Sequence, residues 1–348
     1  MNYIIRKAWD LPQRLHTPEE VCRQRKLHRR EFLATVGWSA AGAGVLSLAA
    51  GCNQGSDEDI LKAGNYDAIP VAPARGSENA LEIGESGTAH DQYPAARNDA
   101  FDYGRKETPE IEAARYTNFY EFSTFKSSWR YVGKFQPSPW TVEVDGLCAK
   151  PITFDLDDIL RRMPLEERHY RHRCVETWAM CVPWTGFPLH ELLKIVEPKP
   201  EARFVAFETF DRPEETPHRA GSVGLPWPYT EGLTIAEATN ELTLLATGMY
   251  GHPLLKQHGA PIRLVVPWKY GYKSIKSVVR IRLTDRQPAT FWNTIQPAEY
   301  DFQANVNPSV PHPRWSQRSE RMLGTGEVFD TVRFNGYGEF VGDLYEKA

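Results

Sequence analysis

Two cysteines lie seven residues apart in the stretch RHRCVETWAMCVPW, residues 171–184. A thiol in such a place can be a nucleophile, half of a disulfide, or a ligand to a soft metal. Arg171, His172 and Arg173 precede Cys174 directly, a local field that favours the thiolate. A cysteine nucleophile needs a histidine base with an orienting partner, and nothing in the chain marks such a set. Zinc needs clustered Cys/His at short spacing, and Cys174-x6-Cys181 matches none of the usual arrangements. Taken alone, a buried inert thiol accounts for Cys174 as well as any working role.

The elements that must position this stretch are short strands and short helices. HYRHRCV (169–175) reads as a strand delivering Cys174 at its end. Its alternation puts Arg171 and Arg173 on one face, His172 and Cys174 on the other. WTVEVDG (140–146) is a strand running into an Asp-Gly turn. DLDDILRRM predicts a helix with Leu156, Ile159, Leu160 and Met163 on one face, and GFPLHELLKIV (186–196) a second with Pro188 in its first turn. ARFVAFETF (202–210) reads as a buried strand, 234–250 as a further helix, and 261–268 and 274–284 as strands flanking KYGYK. Strands and helices interleaved at irregular spacing predict an α+β protein built on a mixed, strand-rich sheet. There is no G-x-G-x-x-G, P-loop, H-E-x-x-H or G-x-S-x-G motif.

The chain has 348 residues and a net charge of −4, so no basic footprint argues for nucleic acid. At 28–34 the sequence is HRREFLA, followed by a weakly apolar Ala/Gly-rich run to Cys52. This resembles a twin-arginine export signal with Arg29 and Arg30 as the pair, rather than a transmembrane anchor. LAAGC also resembles a lipoprotein cleavage box that would lipidate Cys52, although Ala49 stands where a larger aliphatic is usual. Residues 1–52 are thus set apart as the export signal, 53–115 as an extended arm or tether, and 116–348 as the catalytic domain. After export, Cys148, Cys174 and Cys181 are an odd number of interior thiols, so at least one should stay unpaired.

RCVETWAMCVPWTGFPLHELL, YTNFYEF (116–122), FVAFET (204–209), GAPIRLVVPWKYGYKSIKS (259–277) and NPSVPHPRWSQ (307–317) together resemble the catalytic subunits of the periplasmic protein-methionine-sulfoxide reductases. These are molybdenum enzymes of the sulfite-oxidase fold, and the likeness runs from about Tyr116 to about Phe340. The resemblance implies one pterin dithiolene per molybdenum, with Cys174 as the thiolate ligand and Cys181 as a structural thiol. It places Thr117, Asn118, Tyr120, Glu121, Thr209, His258, Arg263, Ser274, Ile275 and Lys276 around the molybdopterin. Arg263 would meet the phosphate. Thr117 stands where the family commonly has Asn, and His258 where its sulfoxide reductases often have Asn. The resemblance also implies a membrane haem b subunit as electron donor in a heterodimer, and oxidised periplasmic proteins as substrates.

Sulfite oxidation occurs on the same fold. Sulfite is a dianion that needs arginines at the metal, whereas Glu176 follows Cys174 by two residues. A neutral sulfoxide tolerates that carboxyl group, and its reduction consumes protons that Glu176 could relay. Trp178, Trp184, Trp227 and Trp268 are candidates for an apolar mouth that accepts a methionine side chain.

Overall fold

Two mixed sheets carry the chain in this computed structural model, which describes residues 56–65, 92–219 and 224–346. Arg29, Arg30 and Cys52 lie outside the described residues. The strands are β1 (Ala96–Arg97), β2 (Thr141–Gly146), β3 (Ile152–Asp155), β4 (Glu166–Arg173), β5 (Trp178–Pro188), β6 (Phe204–Thr209), β7 (Thr230–Thr234), β8 (Leu244–Met249), β9 (His252–Pro253), β10 (Arg263–Val265), β11 (Val278–Thr284), β12 (Ser319–Met322) and β13 (Val328–Asp330). The larger sheet runs β1-β4-β5-β12-β13, with β8 on β5 and both β9 and β10 on β8. The smaller runs β3-β2-β11-β6-β7, with β11 parallel to β2. With helices packed around mixed sheets, the protein is α+β, as its sequence predicts.

β5 is the axis of the larger sheet. Ten consecutive residues, Trp178–Phe187, are buried, because both faces are covered and β4, β8 and β12 pair along its edges. β2 is instead half-covered: Val142 and Val144 are buried, while Thr141 and Glu143 face outward. The helix Leu156–Arg162 begins where the Asp155 side chain accepts from the Asp157 N–H at 2.9 Å, and it buries Ile159 and Leu160. The helix Leu189–Val196 buries Leu189, Leu192, Leu193 and Val196, a single 3.6-period stripe. Pro188 is its N-cap rather than part of its first turn, because β5 continues through that residue.

The expected helix at 234–250 is two elements. Ile235–Thr239 is helical, opened by a capping box between Thr234 and Glu237, and Asn240 then turns extended. Leu244–Met249 forms β8, since pairing with β5 and β10 outweighs the modest helical preference of LLATGM. The strand expected at 274–284 starts only at Val278, after a 3₁₀ turn at Gly271–Lys273 and an irregular link. Within the stretch expected as an arm, Asp57–Gly64 is a helix whose buried Ile60 meets Ala114, Trp129 and Leu255.

Lys269 and Glu237 form a fully buried ion pair at 2.5 Å. The Lys269 ammonium also donates to the Gln303 carbonyl at 2.7 Å and to Asn305 Oδ1 at 2.8 Å, fastening the C-terminal segment to the core. The four methionines among the described residues, Met163, Met180, Met249 and Met322, are all buried. No helix among the described residues is long and apolar enough to cross a membrane.

Gly186 marks the closest approach of β5 to β8, where the register shifts. A Cβ there would overlap the Leu245 carbonyl oxygen and sit 2.7 Å from Ala246 Cα, both backbone atoms that cannot swing aside. Gly186→Ala is expected to cost at least about 2 kcal/mol, read as a lower denaturation midpoint with an unchanged slope.

Candidate functional site

The turn between β4 and β5 builds the centre of the site. The Thr177 N–H donates to the Cys174 carbonyl and the Cys174 N–H to the Trp178 carbonyl, both at 2.9 Å. Thr177 sits at φ 73°, a left-handed conformation that a β-branched residue adopts only under strain. This tight turn aims Cys174 and Glu176 into one pocket together with His172. Arg171 and Arg173 point away, as alternation along β4 requires. Arg171 Nε donates to the Tyr103 carbonyl at 2.7 Å, and Arg173 Nε to Glu320 Oε2 at 3.0 Å.

That placement reverses the expected effect on the thiol. Burial, and then the neighbouring Glu176 carboxylate, push Cys174 up to about 12. The local field read from Arg171 and Arg173 fails, since Arg173 pairs with Glu320 and Arg171 faces the other side of the sheet. The unmetallated thiol is therefore protonated at neutral pH and is a poor nucleophile. It is also unpaired: Cys148, Cys174 and Cys181 are all free and buried. Cys181 packs in a separate apolar cluster with Tyr103, Ala179 and Met322.

Glu176 has a partner that sequence reasoning missed. Its Oε2 accepts from the Lys126 ammonium, from Asn118 Nδ2 at 2.9 Å and from Trp178 Nε1 at 3.2 Å, and it lies 3.8 Å from Cys174 Sγ. Desolvation alone would raise the Glu176 pKa, but Lys126 and the other donors outweigh it and hold the carboxyl below its ordinary range. Lys126 is fifty residues away in sequence, and no local pattern links the two.

Of the residues expected around a cofactor, Thr117, Asn118, Tyr120, Glu121, Arg263, Ser274, Ile275 and Lys276 share the pocket with Cys174. Thr209 and His258 do not line it. Thr209 donates its hydroxyl to the carbonyls of Lys276 at 2.8 Å and Ser277 at 3.1 Å, and so holds the Lys276 turn from behind. His258 is buried, its carbonyl accepting from Arg263 Nη1 at 2.8 Å, while its Nε2 has no protein partner. Burial, with Arg263 and Lys276 nearby, keeps His258 neutral. Of the four tryptophans considered for the mouth, only Trp178 lines the pocket. Trp184 and Trp268 are wholly buried in the core, and Trp227 packs on Phe291. Phe119, Tyr229, Tyr272, Trp292 and Tyr300 add further aromatic wall.

The pocket floor holds cations in excess. Arg263 is buried with no carboxylate partner, and Nη1 and Nη2 donate to the carbonyls of His258 and Ser274. Lys276 donates to the Asn118 carbonyl at 2.7 Å. Desolvation, with Arg263 adding to it, pushes Lys276 well down, and burial pushes Glu121 up. Gly271 lets the His172 ring lie against the main chain, where a Cβ would fall 2.5 Å from its Nε2.

Comparison with known proteins agrees with this geometry. Residues 130–292 match the family described as the oxidoreductase molybdopterin binding domain. The protein-methionine-sulfoxide reductase catalytic subunit MsrP of Gluconobacter oxydans (strain 621H) is 52% identical over 245 residues, which is 68% of this chain and 78% of that one. The chain belongs to the protein-methionine-sulfoxide reductase catalytic-subunit family. The sulfane dehydrogenase SoxCD of Paracoccus pantotrophus, a solved structure, aligns at TM-score 0.42 with 19% identity, over 66% of this chain and 52% of that one.

The cofactor of this reductase family's domain is molybdopterin, and the residues present fit it. Arg263, bonded only to main-chain carbonyls, and Lys276 suit a phosphate, and His258 Nε2 is left without a protein partner. A lone buried thiol suits a soft metal that displaces its proton. Burial and Arg263 outweigh the pull of Glu121 and push Lys276 down to about 7, so its charge costs the cofactor-free chain stability at pH 7. Lys276→Met removes that cost together with one hydrogen bond. The unfolding free energy of cofactor-free protein should hold or rise, while molybdenum retained per polypeptide falls several-fold. A loss of several kcal/mol without cofactor would instead make Lys276 a structural residue.

Proposed function

We propose that this chain reduces methionine sulfoxide, free or within proteins, to methionine at a mononuclear molybdenum–pterin centre held by Cys174. The observation that carries the reading is the neutral, aromatic mouth above that thiol. Among the described residues Arg263 is the only guanidinium in the pocket wall, and its Nη1 and Nη2 are already bonded to main-chain carbonyls. A sulfite dianion would find no arginine free to bind it. Tyr120, Trp178, Trp292 and Tyr300 instead offer faces to a thioether and its methyl group, contacts that suit sulfur.

Bound there, the cofactor supplies two-electron oxygen-atom transfer. The balance is methionine sulfoxide plus two electrons and two protons giving methionine and water. Glu176 stands beside the thiol with Lys126 as its neighbouring proton carrier, so the pair can deliver a proton to the departing oxygen. Asn118 orients Glu176 through its amide and Lys276 through its carbonyl, coupling the proton path to the cofactor side of the pocket. Thr117, Glu121, Ser274 and Ile275 complete the cofactor's surroundings, and Thr209 and His258 support them from behind.

The electrons come from a membrane haem b subunit fed by quinol, with which this catalytic subunit forms a heterodimer. The chain works in the periplasm after twin-arginine export through Arg29 and Arg30, and lipidation of Cys52 would tether it to a membrane. Its clients are oxidised exported proteins.

Purified holo-protein should reduce methionine sulfoxide with a dye donor and leave sulfite unoxidised; sulfite turnover without sulfoxide reduction would sink this reading. Cys174→Ser should lose at least about 10³-fold in activity, in line with removal of an essential catalytic group. Cys181→Ser should stay within a few-fold of wild type. Equal loss from both, with folding intact, would point to a paired thiol site.

A further inference from the structure

Several donors in the pocket wall are already committed within the protein. Asn118 Nδ2 and Trp178 Nε1 donate to Glu176, Lys276 to the Asn118 carbonyl, and Arg263 to the carbonyls of His258 and Ser274. The Tyr229 hydroxyl donates to the Tyr272 carbonyl at 2.7 Å. Two phenols of the same wall, Tyr120 and Tyr300, differ from these. Among the described residues nothing accepts the hydroxyl hydrogen of either. Both rings pack on Trp292, Tyr120 edge-on and Tyr300 stacked, each with centroids 5.1 Å away. Cys174 and Glu176 act electrostatically on both hydroxyls, which therefore share the space beside the thiol.

Tyr300 is set apart by what stands behind it. It follows the helix Phe291–Ile295, where its N–H donates to the Gln296 carbonyl at 3.1 Å and its carbonyl accepts from Asn293 Nδ2 at 2.7 Å. Its hydroxyl oxygen accepts from Arg314 Nη2 at 2.7 Å. Arg314 is fixed in turn, ion-paired with Glu299 at 2.6 Å and lying 4.5 Å over the Trp315 ring. A phenol whose oxygen accepts from a guanidinium turns its hydrogen elsewhere, and that bond polarises the O–H into a stronger donor. Burial pushes the Tyr300 pKa up while Arg314 pulls against it, so the hydroxyl keeps its hydrogen through neutral pH. Arg314 is absent from the pocket wall, so its charge reaches the pocket's contents through Tyr300.

A sulfoxide is strongly polarised along its S–O bond, and its oxygen is a good hydrogen-bond acceptor. The thioether left after reduction has only a weak one. We propose that the Tyr300 hydroxyl, polarised by Arg314, is the donor that holds the sulfoxide oxygen, with Glu299 and Arg314 as its positioning residues. The inference rests on the sulfoxide-reductase reading and names the group that tells the oxidised side chain from the reduced one. The ring faces of Trp292 and Tyr300 accept the apolar part of either form. The hydroxyl grips the substrate alone, so the product leaves without that bond.

The test uses holoenzyme turning over methionine sulfoxide with a dye donor, inhibited by two unreactive analogues. Methionine sulfone keeps oxygen on its sulfur, whereas norleucine has neither atom in its side chain. Tyr300→Phe removes the hydroxyl and leaves the ring. Its inhibition constant for the sulfone should rise roughly five- to tenfold, the loss of one hydrogen bond, while that for norleucine stays within about twofold. The kcat/KM for the sulfoxide should fall by at least as much as the sulfone constant rises. Arg314→Met should raise the sulfone constant about two- to threefold, and Arg314→Lys, whose ammonium can meet both Glu299 and Tyr300, should recover it. A thermal melt and the molybdenum content identify a variant that misfolds, and if Tyr300→Phe does so, the two Arg314 variants decide the matter. Equal rises for both inhibitors would make Tyr300 a wall residue and overturn the donor, as would an unchanged sulfone constant in Tyr300→Phe. Selectivity lost in Tyr120→Phe alone would overturn it in favour of Tyr120. A wild-type holoenzyme inactive on the sulfoxide would overturn the parent reading and this donor with it. An active one that binds the sulfone no better than norleucine would remove the donor alone.

Discussion

The β4–β5 register decides which side chains meet the reaction and which hold the sheet together. Arg173 pairs with Ala179 and Arg171 with Cys181 across the two strands. A slip of one residue would exchange faces, sending Arg173 into the pocket and Cys174 toward Glu320. Such a slip would bury an unpaired arginine in the pocket. The thiol's position is thus enforced by the same burial that stabilises the sheet. The strained Thr177 turn is tolerated because that packing over-determines it.

Charge is segregated across this sheet. On the far side, Arg173 and Arg105 share buried Glu320, and Arg171 donates to main-chain carbonyls. On the near side, Glu176 is balanced by Lys126, while Arg263 and Lys276 lack a carboxylate partner. An anion is therefore wanted deep in the pocket and not at its mouth. One fold thereby supports a polyanionic cofactor beneath and an uncharged substrate above.

Much of this was legible in sequence where a pattern had a period. Alternation along 169–175 put His172 with Cys174 and both arginines opposite, and the apolar stripes of the helices at 156–162 and 189–196 were plain. Elements failed where tertiary pairing overrode local preference, as at Leu244–Met249, which is equally apolar as helix or strand. The resemblance carried eight named residues to one pocket, yet Thr209 and His258 support it from outside. Lys126, Trp292, Tyr272 and Tyr300 went unnoticed because their meaning comes only from what the folded chain sets beside them. The thiol's environment was misjudged for the same reason. Glu320, a distant residue, claims the arginine that stands next to Cys174 in sequence.

The burial of Met163, Met180, Met249 and Met322 has a consequence for the protein's own durability. Oxidants attack thioethers that they can reach, and the described surface offers them none, nor any exposed thiol. That described surface thus presents no thioether that would need the same cure. Nor does it offer one copy's side chains as rivals for another's active site.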